Sequence, residues 1–196
     1  MNSRLFQVGQ MGLTVLGVAL GLSLPVFAQD DAQLADARKV AGAVPPKLLE
    51  ALNAQIAKEG PASAVTVCHE KAPQMAKTAS EQTGWAIRRV SLRNRNPKAL
   101  PDTWERAALE EFDRRAAAGE NPATLEKYAM VEDAGRKEFR YMKALPVQQV
   151  CLACHGAPDS LAPEVSERLH TLYPDDKAVG YALGQIRGAM TIRKLQ

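Results

Sequence analysis

Two cysteines and a histidine stand together as Cys151-Leu-Ala-Cys154-His155, in a chain of 196 residues that has three cysteines and three histidines. Two thiols at this spacing are able to form thioethers with the two vinyl groups of one porphyrin, and the adjacent imidazole is then placed to bind the iron. The motif therefore predicts one haem c, attached through Cys151 and Cys154, with His155 as an axial ligand. A fold that carries this cofactor must build part of its core around a porphyrin.

The same two cysteines would also serve a redox dithiol or half of a zinc site. A thioredoxin-like dithiol needs a strand and a helix around the motif, which the sequence does not indicate. A zinc site needs further ligands, but the chain has no second cysteine pair, and His69 and His170 lie far from the motif without finger-like spacing. Covalent haem is the favoured prediction.

The N-terminus has the features of a secretory signal peptide. Arg4 is positively charged, residues 11–27 carry no charge, and small residues precede the polar sequence that starts at Gln29. We predict that residues 1–28 are a cleaved signal peptide and that the mature protein is periplasmic, since haem c is attached outside the bacterial cytoplasm. An uncleaved anchor is the alternative, because the apolar run has the length of a short membrane span.

Residues 29–196 are predicted to form a single domain, whose length suits one moderate core. No later segment is long or apolar enough to cross a bilayer, so no membrane span is expected after cleavage. The formal net charge of +3 is mixed along the chain, which argues against nucleic-acid binding.

Residues 61–82 predict a helix that supplies candidates for the second axial ligand. Its apolar residues recur at steps of three and four: Val65, Cys68, Ala72, Met75 and Ala79. Cys68 lies on this stripe and His69 at its edge, so Cys68 is the candidate ligand and His69 its alternative. The spacing leaves a plain buried cysteine equally open. Pro73 cannot donate to the His69 carbonyl, which predicts a kink or a restart of the helix there.

Two adjacent arginines are candidates for contacts with the haem propionates, which need cations or hydrogen-bond donors. Arg88 and Arg89 lie in a predicted strand, where successive side chains point to opposite faces. One of the two could therefore reach inward to the cofactor, and the alternative is that these arginines, with the two in the following loop, are solvated surface charges. Arg93 and Arg95, in the loop that follows, are further candidates.

The order of the predicted elements favours an α+β fold with an antiparallel sheet. Helices come first, with two pieces in residues 30–58 separated by the sequence VPP at 44–46, and strands then dominate. The strands are predicted at 85–92, 125–133, 136–147 and 184–195, and further helices at 102–118 and 163–170.

Met190 lies in the last predicted strand and is a conceivable haem ligand. The apolar side of that strand consists of alternate residues, namely Ile186, Gly188, Met190 and Ile192. This position predicts a core residue rather than a ligand.

Four stretches taken together carry a family resemblance: AVTVCHEKAPQMA, RRVSLRNRNP…LPDTWE, CLACHG and YPDDKAVGYALGQIRGAMTI. They resemble exported bacterial proteins grouped as c-type haem family proteins, over most of residues 35–193. The resemblance implies a PAS-like α+β fold with N-terminal helices and one haem c, in which His155 and Cys68 match the two axial ligands. Three positions depart from the family pattern and would tune the pocket: Val90, Ala99 and Gln185.

A thiolate ligand stabilises ferric iron and lowers its potential, whereas a protonated thiol is a poor ligand and tends to leave on reduction. We therefore predict a redox or small-molecule (gas) sensor, which would act through a separate signalling protein. The alternative is a low-potential electron carrier between periplasmic redox partners, which would keep both ligands in both redox states. No distal acid–base groups are evident, so an enzyme such as a peroxidase is not favoured.

Overall fold

A computed structural model describes residues 26–133 and 135–196. Residues 1–25, which hold most of the predicted signal peptide, lie outside this part. The helices are α1 (Val26–Glu59), α2 (Pro61–Thr66), α3 (Ala72–Thr83), α4 (Thr103–Ala117), α5 (Leu152–His155) and α6 (Pro163–Leu172), with a π-helical turn at Val67–Lys71. The strands are β1 (Ala86–Val90), β2 (Glu126–Asp133), β3 (Arg136–Pro146) and β4 (Ile186–Leu195). Within the described ranges, no helix combines the length and apolarity needed to cross a bilayer.

The four strands form one antiparallel sheet in the order β1-β4-β3-β2. This confirms the predicted α+β fold with an antiparallel sheet and N-terminal helices. Each of the four predicted strands is present, and so are the predicted helices at 102–118 and 163–170. The side of the sheet that packs against α1 is called the α1 face below, and the side that packs against α4 is called the α4 face.

Each face of the sheet has its own core cluster. The cluster on the α1 face consists of Leu34, Ala37, Val40, Ala41, Val44, Trp85, Ile87, Phe139, Tyr141, Met190 and Ile192. The cluster on the α4 face consists of Val90, Ala108, Leu109, Phe112, Leu125, Met142, Ala144, Ile186 and Ala189. Strand alternation produces this division, because neighbouring residues of β1 and β4 point to opposite faces.

The prediction of two helical pieces in residues 30–58 is wrong, because α1 continues through Pro45 and Pro46. A proline inside a helix removes one backbone hydrogen bond and costs about 3 kcal/mol. Here the residues before the prolines are buried against the α1 face, with Val40 and Val44 both below one-tenth exposure. Packing against the sheet stabilises the helix through a sequence that would break it in isolation.

α4 begins where the sequence predicts a cap. The N–H of Glu105 donates to Asp102 Oδ1 at 2.9 Å, and the N–H of Asp102 donates to Glu105 Oε2 at 2.9 Å. This reciprocal pair is a capping box, which satisfies two backbone donors that a helix start leaves free. It also places two carboxylates at the α4 face.

Candidate cofactor site

The segment Cys151–His155 lies at the end of the sheet where β1 ends and β4 begins. Its backbone is bonded to the loop that precedes β4. The N–H of Tyr181 donates to the His155 carbonyl at 2.9 Å, and the N–H of Gly180 donates to the Gly156 carbonyl at 2.6 Å. These bonds hold the motif against the sheet.

The π-helical turn carries Cys68 into the neighbourhood of this motif. Cys154 packs against the cluster that contains Val65, and its Sγ lies 4.0 Å from the Pro61 carbonyl oxygen. Burial raises the pKa of Cys154 to about 11, with Arg95 opposing the rise and the neighbouring thiols of Cys68 and Cys151 adding to it. The three cysteines, distant in sequence, therefore lie in one neighbourhood, and none of them forms a disulfide in the described structure.

The irregularity predicted at Pro73 takes the form of the π-helical turn. The N–H of Ala72 donates to the carbonyl of Val67, five residues back. In a regular helix Ala72 would donate to the carbonyl of Cys68, and Pro73, which has no N–H, would leave the carbonyl of His69 without a donor. The turn that carries both ligand candidates is thus wider than an α-helical turn, a feature that is frequent at functional sites.

Cys68 and His69 face different surroundings. Cys68 is partly buried; burial raises the pKa of its thiol, and Arg89, Arg95 and Arg187 partly offset that rise. His69 is exposed, and its ring meets the Tyr173 ring edge-on, with 5.2 Å between the centroids. The structure thus places Cys68 toward the motif and His69 at the outer edge, as the apolar stripe predicted.

The His155 ring is oriented by a backbone acceptor. Its Nδ1 lies 2.6 Å from the carbonyl oxygen of Ala178, a distance that assigns the ring proton to Nδ1 as donor. The lone pair of Nε2 is then the one available to a metal. Burial lowers the pKa of His155 well below its usual value, and the charges of Arg187, Arg95 and Arg89 lower it further. The imidazole is therefore held neutral, which is the form that binds metal.

Arg89 faces this site and Arg88 does not. Arg89 pairs in register with Met190 of the α1 face, and its buried Nε has no hydrogen-bond partner. Burial lowers the pKa of Arg89, and the nearby Cys68 and Cys151 oppose that effect. Arg88 points to the α4 face, where it forms an ion pair with the buried carboxylate of Glu105. Arg88 is thus removed from the set of site candidates by strand alternation, since adjacent residues of β1 cannot share a face.

Arg187 reaches the site through a β-bulge in β4. Leu145 pairs with Gly188 and Pro146 with Ile186, so Arg187 is an extra residue in the ladder. A bulge changes the alternation of a strand and re-aims a side chain. The prediction that Ile186 and Met190 lie on the same side of β4 is therefore wrong. Ile186 belongs to the α4-face cluster, whereas Met190 belongs to the α1-face cluster. Met190 is a core residue as predicted.

Gly188 allows the close approach that accompanies this bulge. Its φ is +151°, and an added Cβ would lie 2.3 Å from the carbonyl oxygen of Val90. Only glycine fits such a position, where the backbones of β4 and β1 come together.

The loop arginines bind the surrounding backbone. Arg95, 7% exposed, donates from Nη2 to the Cys154 carbonyl at 2.6 Å and forms an ion pair with Asp176 at 2.9 Å. Arg93 donates to the Val179 carbonyl and lies over the Tyr181 ring, 4.3 Å from its centroid. Arg95 thus ties the Cys-x-x-Cys-His motif to the loop before β4.

A groove of about 570 Å³ lies elsewhere, between α4 and the segment that leads into β4. It is lined by Leu92, Leu109, Ala116, Leu183 and Ile186 among others, with Asp113 at its side. No cysteine or histidine lines it, but Arg93 and Tyr181, which lie beside the motif, form part of its wall.

Sequence reasoning missed Arg187, Tyr173 and Tyr181. Tyr173 is buried beside the site; burial and then the proximity of Cys68 raise its pKa to about 12, so its hydroxyl keeps its proton near neutrality. Tyr181 presents its ring edge to His155 at 6.3 Å between centroids. All three residues lie in the C-terminal stretch that carried part of the family resemblance, but a bulge and a loop conformation decide where they point.

Comparisons with known proteins agree with this architecture. The family model described as Tll0287-like matches residues 27–194. The chain is also similar to a solved structure titled "Crystal structure of the cyanobacterial heme-protein Tll0287", with 23% sequence identity, 84% of this chain and 93% of that chain covered, and a TM-score of 0.59. No curated protein matches the chain. The structural similarity supports the same fold.

Proposed function

The chain belongs to the Tll0287-like family, and we propose that it is an exported, periplasmic haem c protein that acts as a redox or small-molecule sensor. The observation that carries the haem assignment is the meeting of the Cys-x-x-Cys-His motif with a third thiol, Cys68, and with Arg89, whose buried Nε has no hydrogen-bond partner. The similar structure is titled as a heme-protein, which supports the same cofactor here. We further propose that residues 29–196 form one haem domain after removal of a signal peptide.

The residues of the motif suit a covalently bound haem. The thiols of Cys151 and Cys154 are both unpaired, and His155 offers Nε2 because Nδ1 donates to Ala178. When bound, the haem would supply an iron that changes between two oxidation states. The chain would supply the proximal imidazole, fix its tautomer, and exclude water from one side of it.

Cys68 is the proposed second axial ligand. It lies among the three arginines that also influence His155, and its thiol is next to Cys151. His69 is the alternative, but its ring is exposed and lies against Tyr173. The partly buried position of Cys68 supports it as the residue that faces the cofactor.

Charge balance supports a haem with ionised propionates. Arg89 and Arg187 carry charge in the buried neighbourhood of the motif, and within the described ranges neither forms an ion pair with a carboxylate. A buried cation without a partner is unfavourable. An anionic group would relieve this cost, and we propose that Arg89 contacts a propionate.

A labile Cys68 ligand favours the sensor over the electron carrier. The π-helical turn leaves the Cys68 carbonyl without its usual donor, Ala72, which bonds to Val67 instead. Burial also favours the protonated thiol. Both features make the Cys68 position responsive to the charge of the iron, and the signal would pass to a separate partner protein.

Optical spectra of the purified holoprotein test this proposal. We expect Cys68→Ala to change the ferric spectrum and His69→Ala, its neighbour and matched control, to leave it as in the wild type. On reduction, the wild type is expected to lose the thiolate and to bind carbon monoxide rapidly. A six-coordinate spectrum in both redox states without gas binding would instead identify an electron carrier. Equal spectra for Cys68→Ala and the wild type would remove Cys68 as a ligand.

A further inference from the structure

We infer that Arg187 is a positioning residue for the proximal imidazole, and that its charge raises the reduction potential of the haem. This inference rests on the proposed function, because it concerns His155 as an iron ligand. Arg187 is 5% exposed, and its Nε lies 3.2 Å from His155 Nδ1 and 3.3 Å from His155 Nε2.

These two distances place the guanidinium over the face of the imidazole. An atom in the ring plane and equally far from both nitrogens would lie beside the carbon between them and collide with it at these distances. Nδ1 is also occupied as a donor to the Ala178 carbonyl. The contact is therefore a guanidinium N–H directed at the face of the imidazole, a cation–aromatic contact. This face contact leaves the in-plane lone pair of Nε2 free for iron.

The position of the guanidinium is built by the fold. Nη1 of Arg187 donates to Ser91 Oγ at 3.0 Å and to the Arg93 carbonyl at 3.2 Å. Ser91 Oγ in turn donates to the Arg187 carbonyl at 2.9 Å, and Gly188 allows the two backbones to approach. The end of β1 thus clamps both the head and the backbone of Arg187. Together with the Ala178 bond, this face contact fixes the rotation of the His155 ring.

The charge of Arg187 is not cancelled by a neighbouring acid. The titratable and charged groups around it are Arg89, Arg95, Tyr181, Asp176, His155 and Cys68. Asp176 is already paired with Arg95 at 2.9 Å. A fixed positive charge next to the iron ligand disfavours ferric iron relative to ferrous iron, because the ferric state carries one more positive charge. Arg187 therefore acts against a thiolate ligand, which lowers the potential.

A redox titration of the holoprotein tests the charge. Each haem takes up one electron from dithionite through mediators, which converts ferric to ferrous iron. We expect Arg187→Met to shift the midpoint potential downward and Arg187→Lys to keep it close to the wild type. The matched control is Arg193→Gln, which removes an arginine from the same strand whose side chain is 51% exposed, and should leave the potential unchanged.

Electron paramagnetic resonance of the ferric protein tests the ring orientation. We expect Arg187→Lys and Ser91→Ala to change the low-spin g-values, because each loosens the contact of the guanidinium with the imidazole face, whereas Arg193→Gln keeps them. If Arg187→Met is not recovered folded, Ser91→Ala decides: unchanged g-values and potential would overturn the inference. A wild type without haem would refute the proposed function itself, whereas a haem-loaded Arg187→Met with the potential of the control would refute only this role.

Discussion

Two groups of partly or fully buried arginines lie in different parts of the molecule, one on the α4 face and one at the proposed haem site. On the α4 face, Arg88 and Arg140 meet the carboxylates of Asp102 and Glu105. At the proposed haem site, three arginines meet a single carboxylate: the arginines are Arg89, Arg95 and Arg187, and the acid is Asp176. Two cations with two acids leave no net charge in the first group, whereas three cations with one acid leave two positive charges in the second.

This difference separates a structural cluster from a binding site. The charged residues of the α4 face are Arg88, Arg140, Asp102 and Glu105, and they balance one another in charge. The two carboxylates also accept hydrogen bonds, Asp102 from the Glu105 N–H in the capping box and Glu105 from Thr191 Oγ1 at 3.0 Å. Each group keeps one buried guanidinium Nε without a hydrogen-bond acceptor, on Arg140 and on Arg89. Arg140 is nevertheless ion-paired with Glu105 at 3.4 Å, whereas Arg89 forms no ion pair within the described ranges. Such an excess of buried charge is tolerated where a ligand supplies the opposite sign, and a thiolate and two propionates would do so.

The largest expected effect is on the α4 face. Glu105→Gln should lower the free energy of unfolding by about 3 kcal/mol, because it leaves Arg140 and Arg88 without a buried partner. Glu105 is 1% exposed, so water cannot replace the missing charge. Chemical denaturation of the holoprotein measures the destabilisation, and the haem spectrum should stay unchanged. A spectral change as large as that of Cys68→Ala would contradict the separation of the two clusters.

Gly188→Ala should affect both groups of charged residues, since this glycine lies in β4 where that strand approaches the end of β1. The added methyl group would meet the Val90 carbonyl, and φ of +151° is strained for alanine. We expect a decrease of about 2 kcal/mol in the free energy of unfolding. Because Arg187 is displaced as well, the midpoint potential should change. Gly119→Ala is the control for a positive φ without a close contact, and it should leave the potential as it is.

Arg89→Gln should change the haem more than the stability. Removing a buried charge relieves its desolvation, which offsets the absence of a bond from the guanidinium to a propionate. The free energy of unfolding should therefore change by less than about 1 kcal/mol. The midpoint potential should fall, because the variant has one cation fewer near the iron. Arg140→Gln is the matched variant, with reduced stability and an unchanged potential. If Arg89→Gln and Arg140→Gln changed the free energy of unfolding and the midpoint potential in the same way, the comparison would be refuted.

The smallest expected effect is the decrease in the free energy of unfolding at acid pH that comes from the charged residues of the α4 face. Burial alone would raise the pKa of Asp102, but bonds from Arg140 and the Glu105 N–H, with the charges of Arg140 and Arg88, hold it below its usual value. A carboxyl with a lowered folded pKa adds stability above its unfolded pKa of about 3.9, and that stability is lost as the pH falls further. Asp102→Asn, which keeps the cap, should reduce this decline below pH about 4. The side chain is 40% exposed, so the effect is small.

The sequence predicted the elements of the site better than their orientation. The spacing of Cys151, Cys154 and His155 and the stripe through Cys68 are local features, so they could be read directly. Alternation predicted that Arg88 and Arg89 point to opposite faces, but which face holds the proposed site depends on packing between distant elements. Arg187 was missed because a bulge shifts the alternation of β4. The continuous α1 was missed because tertiary packing outweighs the cost of two prolines.

The mass and colour of the intact protein test the central claim most directly. Protein matured in the periplasm of a host that attaches haem c should be red and heavier than the bare chain by one haem, without residues 1–28. Cys151→Ala/Cys154→Ala should lack this added mass under denaturing conditions. A colourless wild type with the mass of the peptide alone would contradict the account.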